Sequence, residues 1–164
     1  MSIARPQPPK HRRRKFDSVQ QQAYLSLWRT YDRLRAIEDE VFGPHDLSAQ
    51  QYNALRLLKS VSPDAMPTLA LAGSLISRAP DITRLIDKLE RRGLVERRRR
   101  TDNRRVVDVA ITPVGLELLR KLAAPVREAH ARQLGHLSAA ELRELVVLLD
   151  VARRPHEDPD GPWS

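Results

Sequence analysis

The sequence predicts a mainly α-helical fold with one small β-hairpin, on the strength of three observations. First, apolar residues recur at helical spacing in several separate segments, and several of these segments open with a capping signal. Second, residues 94–111 form two β-prone stretches joined by a polar turn. Third, this hairpin is rich in Arg and directly follows a short amphipathic helix. A short helix followed by a basic hairpin is the arrangement of a winged helix-turn-helix.

The basic residues are concentrated in two segments. The formal net charge is +8, and Lys and Arg cluster at residues 10–15 and 91–105. The second segment contains eight Arg and two acidic residues, and Arg strongly outnumbers Lys in the whole chain. The planar guanidinium suits phosphate oxygens and guanine edges. Two local basic patches therefore favour a polyanionic partner.

Several classes of protein are disfavoured by missing residues and motifs. The absence of Cys excludes disulfides, thiolate zinc sites and cysteine redox sensing. The chain has no Gly-rich phosphate loop and no nucleophile elbow, and His130 and His136 are not at ligand spacing on one helix face. No apolar run is long enough to span a membrane. We expect a cytoplasmic protein that is not an enzyme and has no metal or cofactor.

The N-terminal part is predicted to contain a basic arm and a long helix. Residues 1–15 are rich in Pro, Arg and Lys and should be disordered, either as an arm that touches DNA or as a solvated tail. Residues 16–44 form a predicted helix that ends at Gly43 and Pro44. Its apolar stripe is large enough to need a partner surface, so we interpret it as a dimerisation helix. The stripe contains Tyr24, Trp28, Tyr31, Leu34, Ile37 and Val41.

Residues 45–111 are predicted to form the winged helix-turn-helix domain. Ser48 and Gln51 have the spacing of a capping box, which opens a helix. A Pro-containing loop over residues 60–67 follows, and Thr68 is predicted to cap a second, short helix. The first of these helices is predicted to bury Tyr52, Leu55 and Leu58.

The segment 79–93 predicts the second helix of the helix-turn-helix. Pro80 fits its first turn, and Gly93 suits the left-handed residue that ends a helix. One face is apolar and the opposite face is charged, as expected for a helix that packs on its domain and exposes polar groups. The apolar positions are Ile82, Leu85, Ile86 and Leu89.

Residues 112–154 are predicted to form C-terminal dimerisation helices. Thr112 and Pro113 start a long helix, which Pro125 should kink or divide in two. A second capping box at residues 138–141 opens the last helix. That helix is predicted to place Leu142, Leu145, Val146 and Leu149 inside, before a flexible tail over residues 155–164.

These segments resemble the MarR (multiple antibiotic resistance regulator) family of bacterial transcription factors. The resemblance covers residues 28–153 and is strongest over 81–97 and 103–115, which look like the recognition helix, the wing and the start of the fifth helix. It implies a homodimer that binds a pseudo-palindromic operator, and it favours a repressor. It also implies that Arg105 is the wing-tip arginine of the minor groove. The family usually has Asp two positions earlier, where this chain has Asn103, so an ionic brace would need Asp102.

A set of polar residues is predicted to contact DNA. Those near the recognition helix would reach base edges in the major groove, and those of the hairpin would hold phosphates or probe the groove. The alternative is a solvated helix face and a charged hairpin that guards a sheet edge. The candidates are Arg78, Asp81, Thr83, Arg84 and Lys88 near the helix, and Arg97, Arg98, Arg99, Arg100, Arg104 and Arg105 in the hairpin.

The resemblance also implies a small-molecule effector, commonly an aromatic or phenolic anion, between the dimer helices and the winged helix. For Trp28 and Tyr31, core and dimer packing is the favoured alternative, because an aromatic stripe at helical spacing usually packs. The candidate residues for the effector are Trp28, Tyr31, Arg35, His45 and Tyr52.

Two other partners are weighed against operator DNA. The winged helix could be a protein-interaction module, with the basic patches meeting an acidic protein. RNA is less favoured, since the basic segments lack the aromatic residues that stack on unpaired bases. We predict double-stranded operator DNA as the partner.

Overall fold

A computed structural model describes residues 15–76, 81–99, 103, 106–157 and 161. The chain divides into two compact units, residues 1–34 and 35–164. None of the helices in the described ranges is long and apolar enough to cross a membrane. Predictions for the N-terminal arm, for Arg78, for the hairpin tip at Arg100, Thr101, Asp102, Arg104 and Arg105, and for most of the tail fall outside the described residues.

The first unit contains the N-terminal part of helix α1, which runs from Val19 to Phe42. The helix starts three residues later than predicted. Asp17, just before the helix, and Gln21, in its first turn, form two reciprocal hydrogen bonds. The backbone N–H of Asp17 donates to Oε1 of Gln21 over 2.8 Å, and Nε2 of Gln21 donates back to Oδ2 of Asp17 over 2.9 Å. The predicted aromatic stripe is solvent-exposed in this unit, at Tyr24, Trp28 and Tyr31.

The second unit contains the end of α1, a 3₁₀ turn over Gly43–His45, and the helices of the predicted helix-turn-helix. Helix α2 spans Ala49–Val61, α3 spans Thr68–Ser74 and α4 spans Ile82–Arg91. The capping box predicted at the start of α2 is confirmed, with both of its hydrogen bonds present.

Thr68 does not cap α3, so that prediction was wrong. Pro67 occupies the cap position, no side chain caps the helix, and the Thr68 hydroxyl donates to the backbone carbonyl of Val107 over 2.9 Å. The loop predicted over residues 60–67 also contains a two-residue strand, β1 (Met66–Pro67). A strand this short has no periodicity of its own, so only its pairing partner reveals it.

Helix α4 is shorter than the segment that predicted it. It begins after Asp81, whose Oδ1 accepts a hydrogen bond from the backbone N–H of Arg84 over 2.9 Å. It ends before Gly93, whose φ of +65° confirms the predicted left-handed residue. The predicted apolar face is confirmed, since Leu85, Ile86 and Leu89 are buried and Ile82 is partly buried.

The hairpin consists of β2 (Val95–Arg99) and β3 (Val107–Ile111), as predicted. The sheet is antiparallel with strand order β1, β3, β2. The register places Arg97 opposite Val109. Because side chains alternate along a strand, Arg97 lies on one face of the hairpin and Arg98 on the other.

Two long helices complete the chain, α5 (Pro113–Leu134) and α6 (Ala139–Arg153). The predicted caps are confirmed. Oγ1 of Thr112 accepts from the backbone N–H of Gly115 over 3.1 Å, and the capping box at the start of α6 is complete. Pro125 lies inside α5, and the helix continues through it undivided.

Of the residues predicted to lie inside α6, Leu142, Leu145 and Leu149 are partly buried within the unit and Val146 is exposed. Val146 is 58% exposed, and no residue of α6 is fully buried within the unit. The apolar stripe was correctly placed, but a stripe indicates only that a face avoids water and does not say which molecule covers it. The exposed large apolar residues of α6 are Val146, Val147, Leu148 and Val151.

One apolar core joins α2, α3, α4, the hairpin and α5. Its fully buried side chains include Leu55 and Leu58 from α2, Ile86 and Leu89 from α4, and Leu122 from α5. This core holds the apolar face of α4, so the opposite, polar face is directed outward.

Gly115 is predicted to be intolerant of any side chain. A Cβ at this position would lie 2.3 Å from the backbone oxygen of Leu94 and 2.8 Å from Cγ1 of Ile111. We expect Gly115→Ala to lower the free energy of unfolding by about 1–3 kcal/mol, as overpacking does. Urea denaturation measures this loss. The matched control is Gly73→Ala in α3, where a Cβ meets nothing within 4 Å and stability should not fall. Equal stability of both variants would contradict the prediction.

Candidate nucleic-acid interface

Helix α4 exposes polar side chains on the face opposite the core. Thr83, Arg84 and Lys88 are exposed, and a groove of about 460 Å³ between α4 and the start of α2 is lined in part by Arg84 and Lys88. The carboxylate of Asp81 lies at the beginning of the same helix, where it accepts the backbone hydrogen bond that caps α4. This face therefore offers the hydroxyl of Thr83 and the cations of Arg84 and Lys88, and one carboxylate oxygen of Asp81 is used to cap the helix.

Arg97 joins the hairpin to α4. Its Nη2 lies 2.5 Å from Oδ1 of Asp87, and its Nη1 donates to the carboxylate of Glu90. The backbone N–H of Arg97 also donates to Oε1 of Glu90 over 3.2 Å. The side chain of Arg97 is only 26% exposed. This guanidinium is thus occupied by two carboxylates of α4, whereas the sequence placed it among the phosphate contacts.

The charge of Arg97 is stabilised by these carboxylates. Burial by itself lowers the pKa of the guanidinium, but the hydrogen bonds and negative charges of Asp87 and Glu90 outweigh burial, and the pKa is raised above its ordinary value. Arg97 therefore remains charged at physiological pH and compensates two negative charges on the flank of α4.

Strand alternation explains why neighbouring Arg residues have different environments. Arg97 lies on the same face of β2 as the buried Val95, so its side chain is directed towards α4. Arg98 lies on the opposite face, where its Nη2 is 2.5 Å from Oε1 of Glu96, and both side chains are about half exposed. Arg99 is exposed near the end of the strand. The hairpin arginines are therefore not one uniform row of phosphate ligands.

The structure places the remaining DNA-contact candidates only in part. Thr83, Arg84 and Lys88 share the outer face of α4, and Arg98 and Arg99 lie on β2. The predicted contacts of Arg78, Arg100, Arg104 and Arg105 stay predictions, because these four lie outside the described residues.

The effector candidates lie in both units. In the first unit, Trp28 and Tyr31 are exposed on α1. In the second unit, Arg35 lies on the surface with its Nε 4.0 Å from Oδ2 of Asp39. Tyr52 is half-buried with its ring centroid 4.8 Å from that of Phe42, and His45 lies half-buried in the 3₁₀ turn. The Tyr52 ring therefore has a packing contact of its own within the unit.

Sequence reasoning missed Arg92 and the helix-binding role of Arg97. Nη1 of Arg92 donates to the backbone carbonyl of Asp46 over 2.5 Å, and Nη2 donates to that of His45 over 2.7 Å. No local pattern signals a contact with carbonyls so distant along the chain. Arg97 could have been recognised, because strand alternation aligns it with Val95 and two carboxylates are available on α4.

A metal site is not indicated by the described part of the chain, which contains no group of three or more His, Asp or Glu residues able to hold an ion. The arrangement is chemically suited to binding an anionic surface, through an exposed helix face and a basic hairpin fastened to it.

Comparison with known proteins identifies the family. The model of the MarR family matches residues 47–107, which include α2, α3, α4 and β2. The crystal structure of a MarR transcription factor from Planctomyces limnophilus is 60% identical in sequence, with a TM-score of 0.67 over 84% of this chain and 99% of that chain. The chain belongs to the MarR family. This MarR regulator is a winged-helix, DNA-binding transcriptional regulator, in which α3 and α4 form the helix-turn-helix and β2 and β3 form the wing.

More distant structures share the fold of this MarR regulator. Sco3205 from Streptomyces coelicolor, a MarR family regulator solved in complex with DNA, is 16% identical, with a TM-score of 0.80 over 92% of this chain and 96% of that one. BpsR from Bordetella bronchiseptica, whose DNA binding is regulated by 6-hydroxynicotinic acid, is 24% identical, with a TM-score of 0.72 over 80% and 98%. The predicted fold class, mainly α-helical with a β-wing, is confirmed.

Proposed function

We propose that this MarR regulator binds a pseudo-palindromic operator as a homodimer and represses transcription from it. The observation that carries the proposal is the surface made by α4 and the wing. One face of α4 is held in the core, its other face exposes Thr83, Arg84 and Lys88, and the basic hairpin is fastened to the same helix through Arg97. An α-helix with an exposed polar face fits the major groove, which carries a distinct pattern of donors and acceptors for each base pair.

We assign different tasks to the helix and the wing. Thr83, Arg84 and Lys88, together with Arg78 and Asp81 at the N-terminal end of the helix, would face base edges. Arg98 and Arg99 would contact phosphates beside the helix. At the wing tip, Arg100, Arg104 and Arg105 would extend along the backbone or into the minor groove. Contacts to the DNA backbone fix the position and the affinity of the protein more than its sequence preference.

The dimer proposal is supported by apolar surface that neither unit covers by itself. Helix α6 exposes Val146, Val147 and Leu148, and the first unit exposes Trp28 and Tyr31. Clusters of exposed large apolar residues often mark an interface. A second copy of the chain would cover it with two-fold symmetry, which also matches an operator with two half-sites about one helical turn apart.

An aromatic anion is the effector that we propose for this regulator. The regulation of BpsR by 6-hydroxynicotinic acid supports this ligand class. Within the second unit, the ring of Tyr52 would form an apolar wall, and Arg35 and His45 would supply positive charge or hydrogen bonds. In the first unit, the candidates Trp28 and Tyr31 would offer aromatic rings to such a ligand.

Footprinting on the DNA that flanks its own gene tests the proposed function. We expect two protected half-sites centred about 10–10.5 base pairs apart or a multiple of this. Arg84→Ala should weaken binding by about tenfold to hundredfold and relax the preference at one or two positions in each half-site, since a good base contact contributes about 1–3 kcal/mol.

The matched control for this experiment is Lys121→Ala, which removes an exposed cation from α5 and should leave both affinity and sequence preference unchanged. No complex with any flanking DNA at low salt would refute the operator proposal and favour the protein-interaction module instead.

A further inference from the structure

Arg92 fastens the C-terminal end of α4 to the turn that follows α1. It is the C-cap residue of α4, and its two terminal nitrogens donate to the neighbouring carbonyls of His45 and Asp46 over 2.7 and 2.5 Å. The guanidinium is a planar fork, so two such bonds fix an angle as well as a distance. This contact is separate from the one that Arg97 of the wing makes with Asp87 and Glu90 of α4.

The turn that accepts these bonds is itself held firmly to the end of α1. The backbone N–H of Asp46 donates to the carbonyl of Gly43 over 3.0 Å, and that of Leu47 donates to the carbonyl of Phe42 over 3.2 Å. Phe42 and Leu47 are buried in the core. Asp46 has a φ of 47°, a left-handed conformation that Asp adopts in turns more readily than most other non-glycine residues. Arg92 therefore binds a turn that is itself held to the end of α1 by backbone hydrogen bonds and by the buried side chains of Phe42 and Leu47.

The surroundings of Arg92 indicate a positional role and not a phosphate contact. Arg92 lines a groove of about 350 Å³ together with Asp46, Gln51, Lys88 and Arg91. Lys88 and Arg91 are exposed, whereas Arg92 is half-buried and directs its donors at backbone oxygens. Within this groove Arg92 is the cation that connects the recognition helix to the segment leading out of α1.

We infer that Arg92 is a positioning residue that sets the angle of α4 relative to the end of α1, and thereby the half-site spacing that the dimer accepts. The inference rests on the proposed function, because spacing has a meaning only for a dimer on two half-sites. In such a dimer α1 belongs to the shared framework and α4 reads the DNA. A two-point contact between them restricts how far each recognition helix can rotate away from its half-site.

Operators with altered spacing provide the test. The half-sites found by footprinting are moved apart or together by one and two base pairs, and each base pair rotates them by about 34–36° around the DNA axis. Fluorescence anisotropy then gives the affinity of the full-length protein for each operator and for a single half-site. We expect the wild type to prefer one spacing sharply. In Arg92→Met the ratio between the best spacing and its neighbours should fall by about tenfold, with single-half-site affinity unchanged.

Two further variants separate positioning from general stability. Arg92→Lys keeps the charge and a donor but loses the fork, so its spacing ratio should lie between those of the wild type and the Met variant. Arg91→Met is the matched control, because its Nε makes only a 3.4 Å bond within α4, to the carbonyl of Asp87, and its spacing profile should match the wild type.

The outcomes distinguish this inference from the proposed function. A uniform loss of affinity at all spacings in both Arg92 variants, or wild-type ratios in both, would overturn the positioning role. A wild type that binds all spacings equally would also overturn the positioning role. A wild type that binds no two-half-site DNA would refute the proposed dimeric operator binding and, with it, the inference that rests on it.

Discussion

Raising the salt concentration from 50 to 200 mM should weaken operator binding by about three to five orders of magnitude, the loss expected for roughly six to ten phosphate contacts. Each phosphate contact releases condensed counterions and adds about −0.9 to the slope of log affinity against log salt. The segment 91–105 contains eight Arg, and a dimer presents it twice. Anisotropy titrations at several salt concentrations measure the slope.

The structure predicts which arginines contribute to this slope. Arg92 and Arg97 are occupied by contacts within the chain, whereas Arg99 is exposed on the wing. Arg99→Ala should therefore reduce the magnitude of the slope by about 1.8 per dimer, two contacts of about 0.9 each. Arg92→Lys is the control and should leave the slope unchanged. A nearly flat salt titration of the wild type would contradict binding through phosphate contacts.

Arg97→Met should weaken operator binding by about tenfold, the equivalent of about 1.4 kcal/mol, although we place no DNA contact on Arg97. The substitution removes the cation that holds the wing to α4, and it leaves the carboxylates of Asp87 and Glu90 uncompensated on the helix that we propose faces the DNA. Hydrogen bonds to charged groups contribute about 1.5–3 kcal/mol in protected sites. Because these side chains are partly exposed, we expect the lower end of that range for the loss of unfolding free energy.

A double-mutant cycle separates this role from a direct phosphate contact. Asp87→Asn with Glu90→Gln removes both negative charges, so Arg97→Met should have a much smaller effect on DNA affinity in that background. An equal loss in both backgrounds would indicate a phosphate contact and would refute the assigned role. Arg98→Met is the matched control for stability, since its partner Glu96 lies on the same strand and the pair is about half exposed.

Much of the fold could be predicted because its signals are local. Capping boxes at Ser48 and Ser138, the cap at Thr112 and the left-handed Gly93 each depend on residues within one turn of a helix end. The apolar stripe of α4 and the two strands of the hairpin follow from periodicity alone. Residues on the polar face of α4 could be selected in the same way, as the positions left over when the apolar face is buried.

The environment of each candidate side chain could be predicted less well. The sequence shows a run of basic residues from Arg97 onward, but a run of charge does not state where each side chain points. Alternation along β2 separates Arg97 from Arg98, and the packing of α4 against the hairpin supplies the carboxylates that occupy Arg97. The capping use of Asp81 likewise depends on where α4 begins.

By itself the amino-acid sequence determined the helices, the hairpin, the polar face of α4 and the concentration of positive charge beside it, because caps, periodicity and charge act over a few residues. Only the tertiary structure decided that β1 joins the sheet and that the Thr68 hydroxyl bonds to β3. It also decided that Arg97 pairs with the carboxylates of α4 and that Arg92 donates to the turn after α1. These contacts join groups far apart along the chain, and they form because the shared core brings the groups within hydrogen-bonding distance.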